Sequence, residues 1–357
     1  MGFKVGLLGV GPVGDTIVRV LRERKFPIDG ELVVMATSER EETLADEIFT
    51  VRKIEENIFR GLDLVFFAGK EGAKGASVQW GETAVKKGCV VIDNGGDFRM
   101  YPNYPLVVPE VNMDAVTKDT RYICNPNCST IQMVVALAPL HRIARLYRVV
   151  VSTYQSVSGH GGAAMELLKR QTNQVLRGEK LENDPSIFSQ PVAFDCIPHI
   201  DRFLENGYTK EEIKMVNETR KIFNEPNLLI NPTTVRVPVF VGHSESINAE
   251  FMLPMDKEKA LEILLNPQLS PGIAVIDGKS DDKGAGGIRN DIHERKYPVT
   301  RDLCKDSYKD SVMVGRIRND TTRKNAINLW CVSDNLRKGA ATNAVQIAEE
   351  MLKLGYL

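Results

Sequence analysis

Residues 3 to 24 constrain this chain more than any other stretch. Phe3 to Gly9 is a short apolar run, Gly9-Val10-Gly11-Pro12-Val13-Gly14 follows at once, and Thr16 to Arg24 sets apolar side chains at 17, 18, 20 and 21 among charges. The pattern reads as strand, glycine turn and helix. Further buried-looking strands at Leu32 to Ala36, Leu62 to Ala68 and Val90 to Asp93, with helical patterns between them, give the alternation of a parallel sheet covered on both faces. In that context GxGxxG is a dinucleotide signal. Gly9, Gly11 and Gly14 let the backbone approach a pyrophosphate, while Pro12 and Val13 open a helix whose N-terminus carries partial positive charge. A glycine-rich turn without ligand is the competing reading.

After about residue 127 the pattern changes. Residues 129 to 146 read as a helix, Val149 to Ser156 as a strand, and 163 to 177 as an amphipathic helix stopped by Gly178. Residues 179 to 232 mix prolines, short helices and loops. Val235 to Val241 alternates as a strand, Ile247 to Leu253 is another, and Lys257 to Leu265 is a helix. Residues 277 to 292, rich in Gly, Asp and Lys, read as a loop; Val312 to Arg318 and Ala326 to Val332 are final strands, and Gly339 to Leu354 a last helix. The expected fold class is α/β: a doubly wound, Rossmann-type parallel sheet plus a second α+β domain with a mixed, largely antiparallel sheet. The last helix is expected to return to the first domain, giving 1–127 with 333–357 and, between them, 128–332.

Composition excludes several functions. With 46 basic and 47 acidic residues among 357, the net charge of -1 supplies no general field for nucleic acid or an anionic membrane. No apolar run approaches the roughly 20 residues of a bilayer span, and the N-terminus opens with a core-like strand, so a cytoplasmic protein is expected. The six cysteines are scattered without a CxxC pair and read as thiols. No metal is expected.

The end of the second strand, Ala36-Thr37-Ser38-Glu39-Arg40-Glu41-Glu42, leaves the dinucleotide open: Ser38 and Arg40 suit a 2'-phosphate, Glu39 an unphosphorylated ribose. A solvated charged loop is the plain alternative. In Asn125-Pro126-Asn127-Cys128-Ser129-Thr130, Asn127 is a good N-cap, which seats Cys128 in a first helical turn where thiolate is favoured. Cys128 is then a candidate nucleophile, against a structural thiol. Cys124 reads as a buried strand-end thiol. Of five histidines, His243 follows a strand and a glycine and is the leading candidate base, with His160 in Ser158-Gly159-His160-Gly161-Gly162 as its rival.

Five strings occur in order: Asn-Pro-Asn-Cys-Ser-Thr, Thr153 to Gly159, Glu218-Thr219-Arg220-Lys221-Ile222, Arg236 to His243, and Ser333-Asp334-Asn335-Leu336-Arg337-Lys338-Gly339-Ala340-Ala341. Together they resemble the aspartate-β-semialdehyde dehydrogenase family nearly end to end. The resemblance implies reversible NADPH-dependent reduction of L-aspartyl-4-phosphate to the semialdehyde and phosphate through a cysteine thioacyl intermediate, in lysine, threonine and methionine biosynthesis. By motif position Cys128 is the nucleophile, His243 the acid/base, and Gln155 orients the acyl group with help from Asn127. Arg236 takes the substrate carboxylate, Glu218 the ammonium, and Arg99 with Lys221 the phosphate. Outside the family match, Glu218 and Lys221 would be an ordinary surface ion pair. Thr37, Ser38, Arg40, Gly159 and Asn335 join the glycine turn in holding NADP, with NAD as the alternative cofactor. The resemblance further implies a catalytic and dimerisation role for the second domain, in a homodimer or a tetramer, with its sheet and the 179 to 232 segment at the interface. An acyl-CoA reductase on the same scaffold and a non-catalytic nucleotide-binding homologue are the alternatives.

Four departures stand out. The glycine turn is one residue shorter than the family's, Gly95-Gly96-Asp97 replaces two serines before Arg99, Glu41 and Glu42 follow Arg40, and His160 replaces a small residue. One geometric demand also follows. Arg236 and His243 are an odd number of residues apart, so one regular strand would aim them at opposite faces, and the chain must turn or bulge near Gly242.

Overall fold

The computed structural model describes residues 2–69, 72, 74–277 and 295–357, so the loop expected over 277 to 292 lies, after Asp277, outside the described residues. The chain divides into two compact units, Met1–Asn127 with Gly339–Leu357, and Cys128–Lys338.

In the first unit β1 (Val5–Leu8), α1 (Pro12–Glu23), β2 (Val33–Ala36), β3 (Arg40–Leu44), β4 (Glu47–Lys53), β5 (Leu64–Phe67), α2 (Ala76–Lys86), β6 (Val90–Asp93), α3 (Pro109–Asn112) and β7 (Tyr122–Cys124) follow in turn. The sheet order is β3-β4-β2-β1-β5-β6-β7, parallel except where β3 meets β4. Pro12 occupies the first turn of α1, where its missing N–H costs nothing. The glycine turn is dictated by crowding: Gly9 has φ +113°, a Cβ there would lie 2.5 Å from the Ala68 carbonyl oxygen, and one on Gly14 would collide with the carbonyl of Gly9.

Between β2 and β5 the expected helix is replaced by the β3/β4 hairpin. Leu44 pairs with Glu47 across a two-residue turn in which Ala45 and Asp46 both take positive φ, 50° and 68°. Contacts to α1 hold this conformation: the Ala45 amide donates to Asp15 at 2.8 Å, and Arg19 and Arg22 pair with Asp46 and Glu47.

The second unit contains α4 (Cys128–Ala144), β8 (Leu146–Gln155), α5 (Gly162–Leu176), α6 (Lys210–Phe223), β9 (Leu229–Arg236), β10 (His243–Phe251), α7 (Lys257–Leu265), β11 (Ile273–Ile276), β12 (Val312–Asn319) and β13 (Ala326–Ser333). Its mixed sheet runs β11-β12-β13-β10-β8-β9, with the three central pairings antiparallel. One face is covered by α4, α6 and α7. The other leaves Tyr147, Tyr154 and Leu229 exposed.

Two expectations need correction here. The 179 to 232 segment contains a 14-residue helix, α6, started by a capping box in which the Thr209 amide donates to Glu212 and the Glu212 amide to the Thr209 hydroxyl. The strand expected over Val235 to Val241 instead ends at Arg236. Pro238 cannot donate to a ladder, and residues 237 to 240 lie along the end of β8: Val237 donates to the Gln155 carbonyl, and the carbonyls of Val239 and Phe240 accept from Val157 and Ser158.

The final helix, α8 (Thr342–Lys353), lies in the first unit, where Ala344, Val345, Ile347, Ala348 and Met351 share a core with Ile17, Val18 and Leu21 of α1. Each fully buried large apolar side chain there contributes about 1.5–3 kcal/mol. Among the described residues, no helix is long and apolar enough to cross a membrane.

Candidate active site

The second unit brings its chemistry to one end of its sheet. Gln155, the last residue of β8, pairs in register with Arg236, the last of β9. Ser244 pairs with Tyr154, which sets His243, the first residue of β10, level with Gln155 on the same inward face. Arg236 and His243 therefore share a face because they stand on different strands, and Gly242 between them takes φ +94°. Cys128 opens α4 and is half-buried, with Asn127 buried just before it.

Each side chain in the row is fixed by named contacts. The Gln155 amide donates from Nε2 to Glu211 at 3.1 Å, and its Oε1 accepts from the Thr153 hydroxyl at 3.0 Å. Arg236 donates from Nη1 to the Ser156 carbonyl, and its guanidinium lies over the Phe188 ring, 5.7 Å from the centroid. Burial pushes the guanidinium below its ordinary value, while Glu211 and Cys128 pull the other way, so Cys128 lies within the electrostatic reach of Arg236. His243 is fully buried. Its Nδ1 accepts from the Ser156 amide at 3.0 Å, and burial, then the Arg236 charge, lowers its pKa to about 3.

Three buried polar atoms in this cluster have no hydrogen-bond partner among the described residues: Arg236 Nε, His243 Nε2 and Asn335 Nδ2. Such atoms are costly unless a ligand meets them. A Cβ on Gly159 would lie 3.5 Å from His243 Nε2 and 3.6 Å from Arg236 Nη1, so the missing side chain keeps the space beside both nitrogens open.

Asn335, assigned from the sequence to the cofactor, is also a clasp. Its Oδ1 accepts from the Ser156 and Ser158 hydroxyls, both at 3.0 Å, and from the Gly242 amide at 2.9 Å. Sequence reasoning missed Ser156, Ser158 and Glu211. The two serines lay inside the Gln155 to Gly159 string, and Glu211 inside the Thr-x-x-Glu helix start. The neighbouring Glu212 turns its carboxylate to the Thr234 amide, from which it accepts, and so seats the start of α6 beside β9. Glu218 and Lys221 stand two and three turns further along the same helix. Glu218 is almost fully buried and Lys221 half-buried, which removes the simple surface-pair reading. His160, the rival base, is exposed, with its ring tilted on Phe188.

The first unit offers a different kind of site. A Cβ on Gly11 would meet nothing within 4 Å, unlike those on Gly9 and Gly14, so the turn has an open side that could admit a pyrophosphate. Thr37, Ser38 and Arg40 are exposed after β2, and Arg40 donates to the Ser38 hydroxyl at 3.1 Å and to Glu42 at 2.9 Å. Arg99 is buried and donates to the Asn94 carbonyl at 2.8 Å. The glycine at 95 has a local cause: a Cβ there would lie 2.6 Å from the Ser77 hydroxyl, which with the Tyr122 hydroxyl donates to buried Asp93. Asp97, two residues before Arg99, accepts from the Gly72 amide.

Comparison with known proteins agrees with this layout. Residues 4–119 match the NAD-binding domain of semialdehyde dehydrogenases, and residues 137–338 their dimerisation domain. The chain is 45% identical to the aspartate-semialdehyde dehydrogenase of Aquifex aeolicus, with 100% of both chains covered. It is 43% identical to the crystal structure of aspartate semialdehyde dehydrogenase II from Vibrio cholerae, with a TM-score of 0.87 and 99% of each chain covered. A second crystal structure of that Vibrio cholerae protein, complexed with ASA, is matched at 42% identity, a TM-score of 0.87 and 99% of each chain. The chain belongs to the aspartate-semialdehyde dehydrogenase family.

Proposed function

We propose that this chain reversibly reduces L-aspartyl-4-phosphate to L-aspartate 4-semialdehyde and phosphate with NADPH, on the route to lysine, threonine and methionine. The observation that carries the reading is the gap beside Gly159, faced by His243 Nε2, which has no hydrogen-bond partner among the described residues, and by Arg236 Nη1, with Cys128 within electrostatic reach of Arg236. Cys128 attacks the acyl carbon and holds the thioester, and His243 faces the acyl oxygen through Nε2. Gln155, locked by Thr153 and Glu211, orients the acyl group, with Asn127 beside the nucleophile. Arg236 binds the α-carboxylate. Glu218 for the ammonium, and Arg99 and Lys221 for the phosphate, are carried from the family's motifs.

The turn Gly9 to Gly14, with Pro12 and Val13, holds the pyrophosphate of NADP, and Thr37, Ser38 and Arg40 hold its 2'-phosphate. Gly159 and Asn335 are assigned to the cofactor from the family's motifs. When bound, the nicotinamide supplies or accepts hydride. A homodimer forms through the exposed face of the second unit's sheet, in the cytoplasm. A tetramer would need a second interface.

The test gives purified protein the semialdehyde with NADP or NAD, and phosphate or CoA, beside Cys128→Ser. Phosphate-dependent NADPH formation that disappears in the variant supports the proposal. Dependence on CoA, or cofactor binding without turnover, overturns it.

A further inference from the structure

Three asparagine side chains form a bridge across the C-terminal edge of the first unit's parallel strands. Asn94 and Asn125 directly follow β6 and β7, and Asn343 is the second residue of α8. Asn343 donates from Nδ2 to Asn125 Oδ1 at 2.6 Å, and Asn125 from Nδ2 to Asn94 Oδ1 at 2.9 Å. Asn94 donates from Nδ2 to the carbonyl of Phe67, the last residue of β5, at 3.0 Å. Asn125 and Asn343 are buried.

Backbone carbonyls fix the direction of all three amides. Nδ2 of Asn343 also meets the Val107 carbonyl at 3.0 Å, and that of Asn125 the Ala340 carbonyl at 3.3 Å. A carbonyl can only accept, so each amide must turn its NH2 that way. Reversing any one of them would set oxygen against oxygen.

The bridge joins two segments that the proposed reaction uses. The Asn94 carbonyl accepts from Arg99 Nη2 at 2.8 Å, which anchors the arginine assigned to phosphate. Asn125 begins the strap Asn125-Pro126-Asn127 that runs into Cys128, and its backbone amide donates to the Asp93 carbonyl at 2.7 Å. The Asp93 carboxylate accepts from the Gly95 amide at 2.8 Å and from the Ser77 and Tyr122 hydroxyls, closing the turn before Arg99. Asn125 thus stitches the strap to the arginine's loop twice, through backbone and side chain, and Asn343 braces the stitch from α8.

We propose that Asn125 is a positioning residue for the phosphate step, holding the Arg99 loop and the strap before Cys128 in one register, with Asn343 acting through it. The proposal rests on the reading of Arg99 as a phosphate residue and Cys128 as the nucleophile. In semialdehyde oxidation a hydrogenphosphate oxygen attacks the acyl carbon carried by Cys128. The C–O bond forms, and the C–S bond breaks with its electron pair left on sulfur as thiolate. Such a step is sensitive to a displacement of about 1 Å between the attacking group and the acyl carrier.

Steady-state oxidation of the semialdehyde by the full-length enzyme tests this, with phosphate and semialdehyde varied separately. Asn125→Ala should raise KM for phosphate about 5- to 50-fold, and leave KM for the semialdehyde and Kd for NADP within about twofold. Asn343→Ala should act in the same direction by less. The double variant should be no worse than Asn125→Ala alone, because the two residues act through one bridge. A role confined to stability would lower Tm and leave both KM values unchanged, and that result overturns the proposal. So does a rise shared equally by the two substrates, or effects of the two asparagines that simply multiply. Where Asn125→Ala fails to fold, Asn343→Ala decides by the same pair of KM values: a rise for phosphate alone supports the bridge, and no rise refutes it.

Arg99→Ala separates the proposal from the reading beneath it. If that variant raises KM for phosphate and Asn125→Ala does not, the bridge fails and the phosphate reading stands. If it leaves KM for phosphate unchanged, the phosphate reading falls and takes the bridge with it.

Discussion

The two units build their binding edges from opposite materials. In the first, the edge is backbone: a glycine turn, a helix N-terminus and exposed polar residues after β2. In the second, it is a row of buried side chains whose orientations are fixed by other side chains, from Thr153 through Gln155 to Glu211 and from Asn335 through Ser156 to His243. A backbone edge is damaged by adding atoms. A buried polar row is damaged by removing them, because each loss leaves a partner unsatisfied.

The largest expected effect breaks the backbone edge. Gly9→Ala forces a side chain into positive φ and against the Ala68 carbonyl, and should cost about 2–4 kcal/mol, read as a lowered Tm. Gly11→Ala should leave the Tm alone and weaken only nucleotide binding, measured by fluorescence titration. Equal loss of stability in both would show that the turn is not divided in this way. In the second unit, Arg236→Lys keeps the charge but loses the planar fork; KM for the semialdehyde should rise about 10- to 100-fold with a normal Tm. An unchanged KM would remove Arg236 from the substrate.

Glu245 sharpens the contrast further. It sits two residues beyond His243 on the same inward face, fully buried, and accepts a weak hydrogen bond from the Cys331 thiol. Burial raises its pKa from 4.5 to about 8, so the fold accommodates the neutral acid. Below pH 4.5 both folded and unfolded chains hold the proton; between there and about 8 the unfolded chain alone ionises, and the folded state loses stability as pH rises. Glu245→Gln should accordingly match the wild type near pH 4.5 and exceed its Tm increasingly toward pH 8. A difference independent of pH would refute this.

The smallest effect concerns cofactor choice. Glu42 occupies the Arg40 guanidinium in an exposed pair. Glu42→Gln should shift the ratio of NADP to NAD affinity toward NADP by about two- to five-fold, the scale of a surface ion pair. No shift would mean that Arg40 does not meet the 2'-phosphate.

Much of this was legible in the residues. The strand, turn and helix at the N-terminus follow from Gly9 to Gly14, and the break between Arg236 and His243 follows from their odd separation and Gly242. The β3/β4 hairpin was not legible. Arg40-Glu41-Glu42 has no apolar period, and its turn is Ala45-Asp46 where Asn-Gly would announce positive φ; contacts with α1 help hold that conformation. Glu211 was hidden for a related reason. The Thr-x-x-Glu pattern marks Glu212 as the capping residue and gives Glu211 no local role; Glu211 reaches Gln155 because the capping box and the Thr234 amide seat α6 beside β9.

By itself, then, the sequence determined where reactive residue types stand relative to turns and helix starts, because those preferences are set within a few residues. It determined the family as well, through five strings in order. The tertiary structure alone decided that the Ser156 amide meets His243 Nδ1, which carboxylate holds Gln155, and that Asn335 ties Ser156 to the backbone of Gly242. Those outcomes depend on hydrogen bonds between residues 56, 87 and 179 positions apart, and no local pattern records them.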